Sequence, residues 1–347
     1  MIATSSSRTS SRKAQYWFPV LILALTCLGT GFLAGEFIQD HNLLARLNLD
    51  ALATSQCTAP SFRREWRSLS SEEKIAYTDG VKCMLSRGSK HEQNASAGIY
   101  HDFTRIHATH AKAVHGAAAF LPWHRYMLHL FEAEMRTTCG YKGSLVYWDW
   151  TLDWEALQDA PVFTEQLGFG GDGNAAAHES VGDGNCVTDG AFANLTLFFH
   201  SLGEKEHCLS RSFADGKIRG RMAGDQLRPQ AIEGILLQPN YESFLDSIVK
   251  GPHNQIPNGI GGDFLTFTAP NDPLWHLHHS QLDRLWWLWQ QATHPPRLGS
   301  YGGAKRKGSL DKANLKDVIS VGATLGPDVE VADLMSTSSS LLCYRYL

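Results

Sequence analysis

HGAAAFLPWHRYMLHLFEAEM, running from His115 to Met135, is the stretch whose reading decides the fold. Its apolar residues recur at helical spacing, Gly116 and Pro122 interrupt the pattern, and the periodicity over residues 100–136 predicts two helices joined by a break. The stretch carries His115 and His124, and His107 lies eight residues upstream in HDFTRIHATH. Neutral imidazole nitrogen suits copper, zinc, nickel and iron, and three histidines brought together from two helices make a trigonal site with an open face. Each such ring also needs an acceptor for its other nitrogen. The competing reading is histidines scattered on amphipathic helices, which suits His110 and His129.

Outward from this stretch the helical pattern recurs. Ser70 to Met84 begins with a serine cap followed by Glu72 and Glu73, which favour a helix start. Residues 241–249 and the aromatic run PLWHLHHSQLDRLWWLWQQ (273–291) are also helical in period. Residues 155–230 are rich in Gly and Asp and hold neither period for long, which predicts a surface excursion or a lid. Strand patterns are few and short. The expected class is mainly α, an antiparallel helix bundle with long loops.

The chain has 347 residues, with 31 Lys and Arg against 35 Asp and Glu, a formal charge of -4. No long basic run lies beside an aromatic stripe, so nucleic acid is not an expected partner. Ten Trp and sixteen Phe imply aromatic walls, and sixteen His exceed what a core of this size needs.

Trp17 to Gly35 is uncharged, largely apolar and about as long as a bilayer core requires. Arg8, Arg12 and Lys13 precede it, and Glu36 and Asp40 follow. The expected plan is a cytoplasmic tail (1–16), a transmembrane anchor (17–35), a stalk (36–56) and one lumenal domain (57–347), behind a membrane contact made by the anchor. A cleaved signal peptide is the alternative, with a shorter apolar stretch as the norm. Six cysteines follow Cys27, namely Cys57, Cys83, Cys139, Cys186, Cys208 and Cys343, with no CxxC zinc pattern. In an oxidising lumen they are expected to pair, in any of about fifteen ways. Asn94-Ala95-Ser96 and Asn194-Leu195-Thr196 are glycosylation sequons.

YHDFTRIH (100–107), HGAAAFLPWHRYM (115–127) and VYWDWTLDW (146–154) together resemble the first copper half-site of tyrosinases, catechol oxidases and molluscan haemocyanins. The resemblance implies His107, His115 and His124 as ligands of the first metal, with Arg125 and Asp149 as scaffold around it. GPHNQIPNGIGGDF (251–264) and TAPNDPLWHLHHSQLDRLWWLWQ (268–290) resemble the second half-site. There the resemblance implies His253 and His279 as ligands, His278 as a neighbour, and Asp283 as an anchor one helical turn further on.

One departure bears on the metal. The family places a histidine four residues after His253, and this chain has Pro257, which cannot ligate and disfavours a helix aligning positions 253 and 257. His276, three residues before His279, is the candidate replacement on helix phase. Ala113 stands where some fungal members carry a thioether cysteine, and SIVKGPH (247–253) lacks the acid that holds a water in many tyrosinases. Asn254 matches a residue associated with phenol deprotonation, and a polar turn residue is its plainer reading. The segment from Cys57 to Cys83 and the closing LLCYRY (341–346) also resemble the family.

The resemblance implies two coppers and the oxidation of o-diphenols to quinones, or the hydroxylation of phenols, on a small phenolic or peptide substrate in fungal secondary metabolism. The altered second half-site keeps open a non-redox enzyme of the cyclopenase type with a single zinc at the first site. An oxygen-binding protein is a third reading.

Overall fold

The computed structural model describes residues 57–90, 98–201 and 203–347. The expected tail, anchor and stalk, and the sequon at Asn94, lie outside the described residues. Among the described residues no helix is long and apolar enough to cross a membrane.

The domain is mainly helical. Strand β1 (Ser61–Glu65) leads into α1 (Ser71–Ser86), which opens on a reciprocal cap: the Ser70 hydroxyl accepts from the Glu73 amide and the Glu73 carboxylate accepts from the Ser70 amide. The expected break then appears between α2 (Ile99–Val114) and α3 (Phe120–Cys139). Gly116 takes φ +78° in the connection, a conformation that side chains rarely adopt, and Pro122 falls in the first turn of α3, where its missing amide costs no helical hydrogen bond. Strand β2 (Val146–Tyr147) follows, then the hairpin of β3 (Thr196–His200) and β4 (Gly203–Cys208).

The second helical half comprises α4 (Pro229–Leu236), α5 (Tyr241–Ile248), α6 (Asn254–Ile260) and the long α7 (Leu274–Gln291). Helices α1, α2 and α7 each pack on α3, and Trp123, Trp148, Trp150, Trp275, Trp286 and Trp289 are buried in the shared core.

The last strand, β5 (Tyr344–Tyr346), pairs parallel to β1, which also pairs parallel to β2. This brings both tyrosines of the closing motif under α7. Tyr344 and Tyr346 donate their hydroxyls to Asp283 Oδ2 at 2.6 and 2.5 Å, and Arg125 Nε donates to Asp283 Oδ1 at 2.6 Å. Arg63, on β1, bonds Glu132 and Tyr346 and lies over the Tyr344 ring. Asp283 therefore anchors its helix, as the resemblance implies, and Asp149 accepts from Gln281 and Arg284 of the same helix.

All six cysteines pair, as Cys57–Cys343, Cys83–Cys139 and Cys186–Cys208. Residues 155–230 are irregular as expected but are not merely superficial. Arg211 forms a two-point ion pair with Asp272, both wholly buried, which ties the excursion to the base of α7.

Candidate metal centre

His107 projects from α2 and His124 from α3, while His115 caps the C-terminus of α2. His107 Nδ1 lies 2.6 Å from the Phe267 carbonyl, and His124 Nδ1 lies 2.7 Å from the Phe120 carbonyl one turn back. A carbonyl only accepts, so both Nδ1 atoms carry the hydrogen and both Nε2 atoms are bare lone pairs. Those two lone pairs face each other at 3.4 Å. His115 Nε2 is buried with no protein partner, and ring nitrogens of all three lie within 4.8 Å of one another. With no hydrogen between them the lone pairs repel. A cation resolves the repulsion, and the donor set suits a borderline-soft metal.

Burial keeps these rings neutral. It pushes His107 down to about 4 and His115 to about 2, with neighbouring histidines adding to the His115 shift. His124 is also lowered, first by burial and then by His115 and His107. Neutral imidazole is the form that ligates a metal.

The second half-site is less complete. His253 ends a π-helical turn (Val249–His253) and its Nδ1 lies 3.0 Å from Asn254 Oδ1, so the amide oxygen holds the ring with Nε2 bare. The His279 ring lies between Trp275, with centroids 4.0 Å apart, and His124, 4.5 Å apart, both near-parallel. Its Nδ1 is buried without a partner. The rings of His253 and His279 lie 5.5 Å apart, and His115 is 5.6 Å from His253. Five of the expected ligands thus gather in one place.

His276 does not join them. Its ring stacks on Phe131 at 3.7 Å and meets Tyr100 and Trp275 edge-on, and among the described residues it makes no ring contact with His253 or His279. Three residues along a helix leave an offset of about 60°, which here is enough to send the ring against Phe131 and Tyr100 instead. His278 is a neighbour of both, its ring 6.1 Å from His253 and 5.2 Å from His279, and its Nδ1 accepts from Trp150 Nε1 at 3.3 Å.

Pro257 lies within α6, contrary to the expectation that it disfavours a helix there. It is the fourth residue of that helix, so one helical bond, to the His253 carbonyl, is forgone while the rest of the helix keeps its ladder. Position 257 lines a cavity of about 470 Å³ together with His107, His115, His253, Asn254 and His279. No acidic side chain is among the described residues lining it, in keeping with the missing acid in SIVKGPH.

Sequence reasoning missed Trp275 and the Phe267 carbonyl. Trp275 could have been found as an aromatic residue one turn before His279. The carbonyl leaves no trace in a sequence.

The chain matches known proteins over the residues that carry these histidines. The family described as the common central domain of tyrosinase matches residues 97–292. Tyrosinase ustQ of Aspergillus flavus is 43% identical over 290 residues, covering 84% of this chain and 80% of that protein. Tyrosinase-like protein phomQ1 of Diaporthe leptostromiformis is 40% identical over 308 residues, covering 84% of this chain and 78% of that one. Among solved structures, a variant polyphenol oxidase from Thermothelomyces thermophila superposes with a TM-score of 0.74 at 28% identity, over 88% of this chain and 94% of that chain.

Proposed function

Because this chain belongs to the tyrosinase family and is a tyrosinase-like oxidoreductase, we propose that it is a copper-dependent oxidase of phenolic or tyrosine-derived substrates, small molecules or peptides, in fungal secondary metabolism. The observation that carries the reading is the pair of bare Nε2 atoms of His107 and His124, 3.4 Å apart beside the unpartnered Nε2 of His115. These three residues would hold one copper, and His253 and His279 the other. When bound, copper supplies a redox couple and dioxygen activation, which suit conversion of an o-diphenol to a quinone or hydroxylation of a phenol.

The chain's own residues do the rest. Asn254 fixes the His253 tautomer and lines the cavity, where its amide can orient a water or a phenolic hydroxyl. Phe264 and Trp275 give the cavity apolar aromatic walls for a substrate ring. Trp275 also holds the His279 ring flat against His124, which fixes the direction of the second half-site.

A non-redox reading is favoured by one feature, Pro257 in place of a sixth imidazole. It would use a single zinc on His107, His115 and His124 as Lewis acid or water activator. Metal analysis of the purified chain, combined with oxygen uptake on an o-diphenol and a monophenol, separates the two. Copper with oxygen uptake supports the oxidase. One zinc per chain and no uptake after copper loading rejects it.

The three disulfides support a secreted or lumenal domain. We place it behind an uncleaved anchor at residues 17–35, with the N-terminus cytoplasmic.

A further inference from the structure

A second group of metal-ligating side chains lies outside the centre described above. His200 ends β3, His207 lies on β4 across the same hairpin, and Asp263 follows α6; one ligand atom from each lies within 4.8 Å of the other two. The His207 side chain is 3% exposed and that of Asp263 is fully buried.

The hydrogen bonds around the group leave a gap. His207 Nδ1 lies 2.7 Å from the Lys205 carbonyl and must donate to it, so in the neutral ring Nε2 is a lone pair. That lone pair faces Asp263 Oδ1 at 3.0 Å, acceptor against acceptor. A proton would satisfy this pair but would leave His200 Nδ1, also buried, with no partner at all. A cation held by His207, Asp263 and one ring nitrogen of His200 resolves the two facing acceptors and gives His200 a partner.

The surroundings are those of a built site. Asp263 is aimed by donors on both oxygens: the Ser210 amide on Oδ2 at 2.9 Å, and Asn271 Nδ2 on Oδ1 at 3.0 Å. Asn271 Nδ2 also donates to the Phe199 carbonyl at 2.6 Å, next to His200. The Cys186–Cys208 disulfide fastens β4 one residue after His207. Outer partners of this kind orient the ligands of metal sites.

We propose that His200, His207 and Asp263 form a zinc site separate from the copper centre. Two imidazoles and one carboxylate, with the partly exposed His200 leaving room for a water, match the ligand set of a four-coordinate zinc. Ligand atoms on such an ion lie about 3.3 Å apart, so the group closes with small side-chain shifts. The ion would clip the β3–β4 hairpin to the segment after α6. Ser201, at the tip of that hairpin, lines the cavity of the copper centre and donates its amide to Thr268 Oγ1 at 3.2 Å. The clip therefore sets one wall of the cavity without touching the copper ligands.

The test uses the full chain, loaded with copper and then dialysed against zinc chloride alone. Wild type is expected to hold one more zinc per chain than His200→Ala, at an equal copper count, with affinity falling at least about 10-fold in the variant. Equal zinc in both overturns the proposal. A second measurement needs no variant: X-ray absorption at the zinc edge of the copper-loaded wild type should give two imidazoles and carboxylate or water oxygens. Three imidazoles would mean zinc in the copper centre, and oxygen ligands alone would mean adventitious zinc; either result leaves His207 and Asp263 as a simple ion pair. The copper count and oxygen uptake report on the oxidase reading independently.

Discussion

Arg125 and Asp283 meet at 2.6 Å beneath the metal centre, with the guanidinium side chain fully buried and the carboxylate side chain 4% exposed. Burial alone opposes the Asp283 charge, but Arg125, Arg63 and the hydroxyls of Tyr344 and Tyr346 outweigh it and hold its pKa below the ordinary carboxylate value. A depressed carboxylate contributes stability that is full above its unfolded pKa of about 3.9 and is lost as pH falls through the lower folded value. Acid unfolding of wild type is therefore expected in that low range. Arg125→Leu should cost up to about 3 kcal/mol, because it breaks one buried ion pair and leaves Arg63 and two hydroxyls to hold the charge, and should move the acid midpoint upward. Denaturant melts across a pH series check both.

Restoring an imidazole at position 257 should tighten the second half-site. Pro257 lines the cavity beside His253 and His279, so Pro257→His is expected to lower the dissociation constant of the second copper at least about 10-fold, taking the lower end of what disturbing a metal site costs. Stoichiometry by copper titration, with the absorption band of the oxygenated pair, reads this out. A wild type that already holds two coppers tightly and shows the full band would sink the weakened-site idea.

Asn254→Ala should separate two activities. The substitution removes the oxygen that holds His253 Nδ1–H, at 3.0 Å, and leaves the imidazole in place. Hydroxylation of a monophenol, which needs the substrate proton removed, is expected to lose about 10²-fold in kcat, while oxidation of an o-diphenol changes little. Asn254→Asp should recover part of the loss. Equal losses on both substrates would leave Asn254 as a turn residue.

Asn194 is exposed at φ +57° just before β3, and Thr196 is exposed with it, so the sequon is open to an oligosaccharyl transferase. Asn194→Gln is expected to lower the apparent mass of the secretory-pathway protein by one glycan on a gel. In sealed microsomes a C-terminal epitope should resist protease until detergent is added; digestion without detergent would overturn the lumenal placement.

The helix break was legible from local chemistry, a glycine and a proline, and the first three histidines from the motifs around them that resemble a known copper-binding family. His276 was misread because helix phase gives only a direction, while its ring stacks on Phe131, a contact from far away in sequence. The effect of Pro257 depended on where α6 begins, which the π-helical turn at Val249–His253 sets and composition does not disclose. His200, His207 and Asp263 come together from a hairpin and a loop with no shared period, so nothing in the sequence joins them.

Cys57 is bonded to Cys343 across 286 residues, and β1 lies beside β5. The first strand of the domain is thus synthesised long before the strand that completes it, and until then the Arg63 guanidinium has no Tyr346 hydroxyl to bond. A chain that stops short of Cys343 would leave Cys57 without its disulfide partner and Asp283 without the two tyrosine hydroxyls it accepts.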